Sequence, residues 1–307
     1  MFRIAHISDL HVLSRAGAEW RSMLFNKRIT GYANTLLRRG RVHRREFLLA
    51  VLQAVSAGAD HVVVTGDITN LALESEYDDA RALLSGVASA VEVTVVPGNH
   101  DIYLPPIFHE RHFAYHFGDF LRSDLPELAL DLPPGPFPCV KLRGPVAIVG
   151  LSSGVPRPPF IAAGFIGDRQ LDALARVLAH PEVAKRTAVI LIHHPPVDGR
   201  SRIAQLRDGL VDAAAFRRAL APLHRGLVLF GHLHRRVRCA LPTPAGTLDV
   251  VSASGAALDH PHPSVRAGFN VYQIGSDGSI ESIQARVLDA SGLTFEDAAI
   301  AGRTEGE

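Results

Sequence analysis

The feature that most constrains this 307-residue chain is the recurrence of a short Val- and Ile-rich run that stops on Gly, Asp, Ser or His. It occurs as FRIAHIS (2–8), DHVVVTG (60–66), VEVTVVPG (91–98), VAIVGL (146–151), TAVILIH (187–193) and GLVLFG (226–231). Runs this short and this rich in β-branched residues read as strands buried on both faces. Between them, REFLLAVLQAVSA (45–57), ESEYDDARALLSGV (74–87), DRQLDALARVLA (168–179) and DAAAFRRALAPL (212–223) carry helical patterns. The alternation predicts a layered α/β fold on a largely parallel sheet. After residue 236, RVRCAL, GTLDVVSAS, GFNVYQIG and SIESIQARVL predict antiparallel strands over about 236–288, with SDG as a turn, so that the sheet system ends in a run of hairpins. The reading is a single domain over 1–290 and a frayed tail over 291–307.

Hydrophobic residues make up 47% and charged residues 21%, which excludes a disordered chain and predicts a sizeable core. A net charge of +1 argues against a protein that binds polyanions over its whole surface. Cys139 and Cys239 fit no metal-knuckle or redox spacing, and no segment has the roughly 18–20 apolar residues of a spanning helix. The expectation is a cytoplasmic protein, with peripheral attachment to the inner face of the membrane left open.

Five strand ends carry side chains able to hold a metal: SDLH (Asp9, His11), TGDITN (Asp67, Asn70), PGNHD (Asn99, His100, Asp101), LIHHPP (His193, His194) and FGHLH (His232, His234). In a parallel sheet the carboxyl ends of the strands share one edge, so residues far apart in sequence meet there. A lone Asp or His after a strand is more often a cap or turn residue. Five together are poorly explained that way. Oxygen and imidazole donors without thiolate suit Mn²⁺, Fe²⁺ or Zn²⁺, and the set is too large for one tetrahedral ion. Two ions are implied, with a carboxylate bridging them. The spacing of two between His232 and His234, in extended chain, sends both rings to the same side.

The ordered series D-x-H, G-D, G-N-H-D, H and G-H-x-H, over roughly residues 2–235, resembles the calcineurin-like metallophosphoesterases. The resemblance implies a four-layer αββα sandwich and a metal-dependent phosphoric ester hydrolase. It assigns Asp9, His11 and His234 to one metal and Asn99, His193 and His232 to the other, with Asp67 bridging. A hydroxide held between the two ions would attack phosphorus. His193 is preferred over His194 because it directly ends the apolar run and because relatives place their ligand two residues before a proline, here Pro195. His194 is then expected beside the ligands or facing phosphate. The resemblance gives His100 the task of contacting the phosphoryl group or protonating the leaving group, with Asp101 orienting its ring.

Substrate is less constrained. Residues 19–47 carry eight Lys or Arg (Arg21, Lys27, Arg28, Arg38, Arg39, Arg41, Arg44, Arg45) among Trp20, Met23, Leu24, Phe25, Ile29, Tyr32, Leu36 and Leu37. Such a basic amphipathic insertion, at about 15–45, reads as a lid, a membrane arm that meets anionic headgroups, or a packed helical hairpin. Nucleic-acid binding is disfavoured, since no recognised module accompanies it. The short chain with GNHD and HHPP looks like class III cyclic-nucleotide and glycerophosphodiester phosphodiesterases. The insertion instead suggests the branch acting on lipid-linked nucleotides such as UDP-2,3-diacylglucosamine. An inactive binding or scaffold protein is a third reading, disfavoured because no ligand is missing. His194, Asn70, Arg28 and Arg38 are the candidate substrate contacts, and the antiparallel strands after residue 236 offer an edge for a homodimer.

Overall fold

All six Val- and Ile-rich runs form strands, divided between two six-stranded sheets. The computed structural model describes residues 1–13, 42–197, 199 and 201–302. In the first sheet β1 (Phe2–Ile7), β2 (His61–Val64) and β3 (Glu92–Val95) pair in parallel. In the second, β7 (Val146–Gly150), β8 (Thr187–Leu191) and β9 (Gly226–Phe230) do the same. Every residue of β2, β7, β8 and β9 is buried, as strands covered on both faces require.

Successive side chains of a strand point to opposite faces, and the second sheet thereby serves two cores. Val146, Ile148, Val189, Leu191, Leu227 and Leu229 join the core shared with the first sheet. Their alternates Ala147, Val149, Ala188, Ile190 and Val228 pack in a separate cluster with residues of helices Asp168–Ala179 and Ala213–Ala219. Helices Arg45–Gly58 and Glu74–Ala88 pack on the first sheet. The order helix, sheet, sheet, helix is the four-layer αββα sandwich. Helix Asp168–Ala179 buries Leu171, Leu174, Val177 and Leu178 along one stripe. Its buried Gln170 ties it to the end of β7 by accepting from the Ser152 amide at 2.9 Å and donating to the Ser152 carbonyl at 2.8 Å.

The expected run of hairpins is split between the sheets. β10 (Arg238–Thr243) and β11 (Gly246–Ser252) extend the second sheet, with β11 parallel to β9. β12 (Gly268–Ile274) and β13 (Ile280–Leu288) extend the first, with β12 antiparallel to β1. On the other edge of the second sheet, β6 (Cys139–Arg143) is antiparallel to β7. The second sheet therefore has a parallel centre and antiparallel flanks, whereas the first is parallel on the β1–β3 side and antiparallel from β1 through β12 and β13, not the largely parallel sheet expected. The tail expectation is also corrected. Residues 295–298 form β14 (Phe295–Ala298) against β13, and the Phe295 ring packs 5.4 Å from that of Phe269. FEDA holds one large apolar residue, too weak a pattern to be read as a strand from sequence. The patterns are also too weak at the two-stranded sheet β4 (Leu130–Leu132) and β5 (Gly135–Phe137), and at helices Pro105–His109 and His112–Phe117.

Most of the basic insertion, including Arg28 and Arg38, lies outside the described residues. Its final residues rejoin the body beside the loop at 257–259, where the Arg44 amide donates to the Ala257 carbonyl at 2.8 Å and the Asp259 amide to that of Val42 at 2.7 Å. Arg44 pairs with Glu46 at 2.5 Å and Asp259 at 3.3 Å, so its charge is balanced locally.

Candidate metal centre

The five strand-end blocks all meet at the carboxyl edge of the parallel strands, at the seam between the sheets. Asp9 and His11 follow β1, Asp67 follows β2 and Asn99 follows β3, whereas His193 follows β8 and His232 and His234 follow β9. Asp9, His11, Asp67, His232 and His234 all have left-handed backbone, with φ of 51°, 43°, 52°, 66° and 50°. A left-handed conformation costs a non-glycine residue roughly 1–2 kcal/mol, and such strain persists where surrounding structure holds it in place for a purpose. His232 and His234 are thus not in extended chain, contrary to the reading of their spacing. Left-handed turns direct them instead, one to each half of the site.

One half gathers Asp9, His11, Asp67 and His234, whose donor atoms all lie within 4.8 Å of one another. His234 Nε2 is 3.1 Å from Asp9 Oδ1 and 3.2 Å from His11 Nε2. The other half brings Asn99 Oδ1 to 3.2 Å from His193 Nε2 and 3.0 Å from His232 Nδ1, and those two nitrogens are 3.2 Å apart. Asp67 stands between the halves, its Oδ2 3.9 Å from His11 Nε2 and 3.4 Å from His193 Nε2. Each half draws residues from both sheets.

The side chains fit divalent cations. Metal–nitrogen bonds of about 2.0–2.1 Å put neighbouring donors roughly 3 Å apart, the spacing of both imidazole pairs. Asp9 Oδ2 accepts from the His232 amide at 3.1 Å, while its buried Oδ1 meets no donor in hydrogen-bond geometry. His193 donates from Nδ1 to the Thr65 carbonyl at 2.7 Å, which aims Nε2 toward Asp67 and Asn99. Glycine is needed where the backbone passes the carboxylates. A Cβ on Gly98 would lie 2.2 Å from Asp67 Oδ1, and one on Gly231 would lie 1.9 Å from Ser8 Oγ and 2.7 Å from Asp9 Oδ2.

Charge in the site is uneven. Burial opposes ionisation of Asp67, but the imidazoles of His193 and His100 outweigh it and hold the carboxyl well below the usual range. Asp9 is likewise lowered, chiefly by His234 acting against burial. Burial also works against charge on His193, yet Asp67 and Asp9 push that imidazole up to about 9. Burial, with His193 beside it, takes His232 down to about 4. Of the facing pair, His193 therefore holds the proton that a cation would displace.

Two sequence expectations change here. His194 is fully buried and lies with His193 and His232. Both of its nitrogens are engaged, Nδ1 with Ser153 Oγ at 2.9 Å and Nε2 with the Ala162 carbonyl at 2.9 Å, so it positions the loop rather than facing phosphate. Asp101 was expected to orient the His100 ring. Its carboxylate instead accepts from the amides of Thr69 at 2.8 Å, Gly98 at 2.9 Å and Ile68 at 3.2 Å, bracing the Asp67 loop against the Asn99 loop. The His100 ring is held by Nδ1 donating to the Asn70 carbonyl at 2.5 Å and by stacking on Tyr103 at 5.3 Å. Asn70 gives the ring its backbone carbonyl, and its own side chain is buried, as are those of Asp9 and Asp67.

Sequence reading passed over His43, whose ring lies 5.1 Å from that of His11 and 6.4 Å from that of His234. It sits among the arginines of RGRVHRREF, where no strand end marked it.

Residues 2–236 match the calcineurin-like phosphoesterase family. The chain belongs to that family. A probable cyclic nucleotide phosphodiesterase of Rhodococcus erythropolis is 29% identical over 194 residues, covering 62% of this chain and 56% of the relative. The match thus spans little more than half the length of that relative. Among solved structures, a dimetal phosphatase from Danio rerio aligns over 97% of this chain and 98% of its own, with 17% identity and a TM-score of 0.56. The purple acid phosphatase PPD1 of yellow lupin aligns over 96% of this chain and 53% of its own, with 12% identity and a TM-score of 0.59. Both are similar in fold.

Proposed function

We propose that the chain hydrolyses a small phosphodiester, of cyclic-nucleotide or glycerophosphodiester type, at the paired clusters around Asp67. The observation that carries this reading is the place of Asp67 Oδ2, within 4 Å of a donor nitrogen in each half of the site. Asp9, His11 and His234 would hold one divalent cation and Asn99, His193 and His232 the other, with Asp67 shared. Bound there, Mn²⁺, Fe²⁺ or Zn²⁺ would acidify solvent held between them to a pKa near roughly 7 and neutralise charge on the phosphoryl oxygens. His100, its ring held by Nδ1 on the Asn70 carbonyl, would bind a phosphoryl oxygen or give a proton to the departing alkoxide. The name of the Rhodococcus relative supports a cyclic nucleotide as substrate.

A second reading, hydrolysis of a lipid-linked nucleotide such as UDP-2,3-diacylglucosamine at a membrane surface, is favoured by one observation. The loop whose Ala162 carbonyl receives His194 also carries Phe160, 81% exposed, and it pairs with the segment following Ile203, also 81% exposed. No helix among the described residues is long and apolar enough to cross a membrane. Metal-replete protein assayed on cyclic AMP and on UDP-2,3-diacylglucosamine, with and without anionic vesicles, separates the readings. Turnover of cyclic AMP without vesicles is expected. Turnover confined to the lipid substrate overturns the first reading, and none on either, or on a bis-aryl phosphodiester, overturns both.

A further inference from the structure

We propose that a third divalent cation, of the zinc type, binds away from the strand ends, between helices Glu74–Ala88 and His112–Phe117, on Glu74, His112 and His116. His112 and His116 are four residues apart and share one face of their short helix, while Glu74 opens the facing helix. Their donor atoms all lie within 4.8 Å of one another. Glu74 divides its carboxylate between them, with Oε1 2.5 Å from His112 Nδ1 and Oε2 3.0 Å from His116 Nε2.

Two observations distinguish this cluster from an ordinary hydrogen-bonded pair. The buried Nδ1 of His112 makes no hydrogen bond despite its closeness to Glu74, because the direction is wrong for one. In addition, each imidazole has a second carboxylate on its far nitrogen. Glu110 Oε2 is 3.0 Å from His112 Nε2, and Asp78 Oδ1 is 3.6 Å from His116 Nδ1. A neutral imidazole has one N–H to offer, so carboxylates at both nitrogens leave one of them facing a lone pair. A cation on the Glu74 side removes that conflict. His112 Nδ1 and His116 Nε2 then donate to the metal while their far N–H groups point to Glu110 and Asp78, the carboxylate–histidine–metal arrangement. Three carboxylates surround two imidazoles, and the nearby Arg81 is directed to the His116 carbonyl and to Asp119.

The ring of His116 is held in place by Tyr77, stacked at 4.8 Å and 8° between planes. Glu74 is 60% exposed, so solvent would complete the coordination shell. Two nitrogens and a carboxylate oxygen suit Zn²⁺ over Mg²⁺ or Ca²⁺.

The test counts zinc per chain after equilibrium dialysis. Wild type is expected to hold three equivalents and the His112→Ala/His116→Ala double variant two, with turnover of a bis-aryl phosphodiester within about twofold of wild type. Asp67→Ala, which lacks the carboxylate shared by the strand-end clusters, is expected to keep one equivalent that disappears when His116→Ala is added. This arm stands whether or not the chain is a phosphodiesterase. Glu74→Gln, at an exposed position that threatens folding least, should weaken the third equivalent about tenfold or more. Equal zinc content in wild type and the double variant, no zinc in Asp67→Ala, or unchanged affinity in Glu74→Gln overturns the site.

Discussion

The two sheets contribute different chemistry to the seam where they meet. The first sheet supplies every oxygen donor, Asp9, Asp67 and Asn99, together with His11. The second supplies only imidazoles, His193, His232 and His234. Neither sheet holds a complete cluster: Asn99 meets His193 and His232 across the seam, and His234 crosses it to Asp9 and His11. Packing of the sandwich and assembly of the site are therefore one event. With two cations bound, the first sheet would carry the charge that offsets them, and the second would carry the imidazole donors that complete their shells.

The sharpest test of that division is Asp67→Ala. Loss of both strand-end ions and a rate loss on the order of 10⁴ are expected, read by metal analysis and phosphodiester turnover. His232→Ala, on the imidazole sheet, should cost one equivalent and on the order of 10³ in rate. If it strips both ions as Asp67→Ala does, the shared carboxylate has no special place and the comparison fails. His100→Ala should keep both ions and lose about 10² in kcat, the usual size of a proton-transfer contribution. A rate equal to wild type would remove His100 from the chemistry.

Smaller effects probe how each sheet is braced. Gly231→Ala sets a Cβ against Ser8 Oγ and Asp9 Oδ2, so the imidazole strand must back away from the carboxylate strand. A loss of about 1–3 kcal/mol in urea unfolding is expected, with weakened metal binding. The smallest effect belongs to His6, buried in β1 between Tyr272 Oη at 3.0 Å and Thr65 Oγ1 at 2.8 Å, behind the same Thr65 whose carbonyl orients His193. Burial takes His6 down to about 3 from an ordinary 6.5. The folded state thus binds fewer protons than the unfolded one between those values. The stability it contributes is complete above pH 6.5 and falls as pH is lowered toward 3, by at most about 1.4 kcal/mol per pH unit. Urea unfolding at pH 7 and 5.5 should show that slope, reduced in His6→Gln; equal slopes would assign the acid sensitivity elsewhere.

Much of this was legible in the chain. The strands of Val and Ile were visible because burial on both faces leaves an uninterrupted apolar run, and the ligands because each stands directly after such a run. Helix Asp168–Ala179 was read to the residue, since its apolar stripe begins and ends abruptly. β14 and helix His112–Phe117 were not, because FEDA lacks the apolar run that marks the other strands and six residues hold too few helical periods. The role given to Asp101 failed for a different reason. Adjacency to His100 in sequence suggested contact, whereas the turn sends the carboxylate to the Thr69, Gly98 and Ile68 amides.

The sequence by itself determined the residue types at five strand ends and hence the donor chemistry, because local pattern and position after a strand are properties of the chain alone. Tertiary structure alone decided which donors meet. The pairing of Asn99 with His193 and His232 and the place of Asp67 Oδ2 between the halves depend on two sheets packing face to face. So does the meeting of Glu74 with His112 and His116 on helix packing. Such contacts join residues tens to hundreds of positions apart, and no local periodicity encodes them.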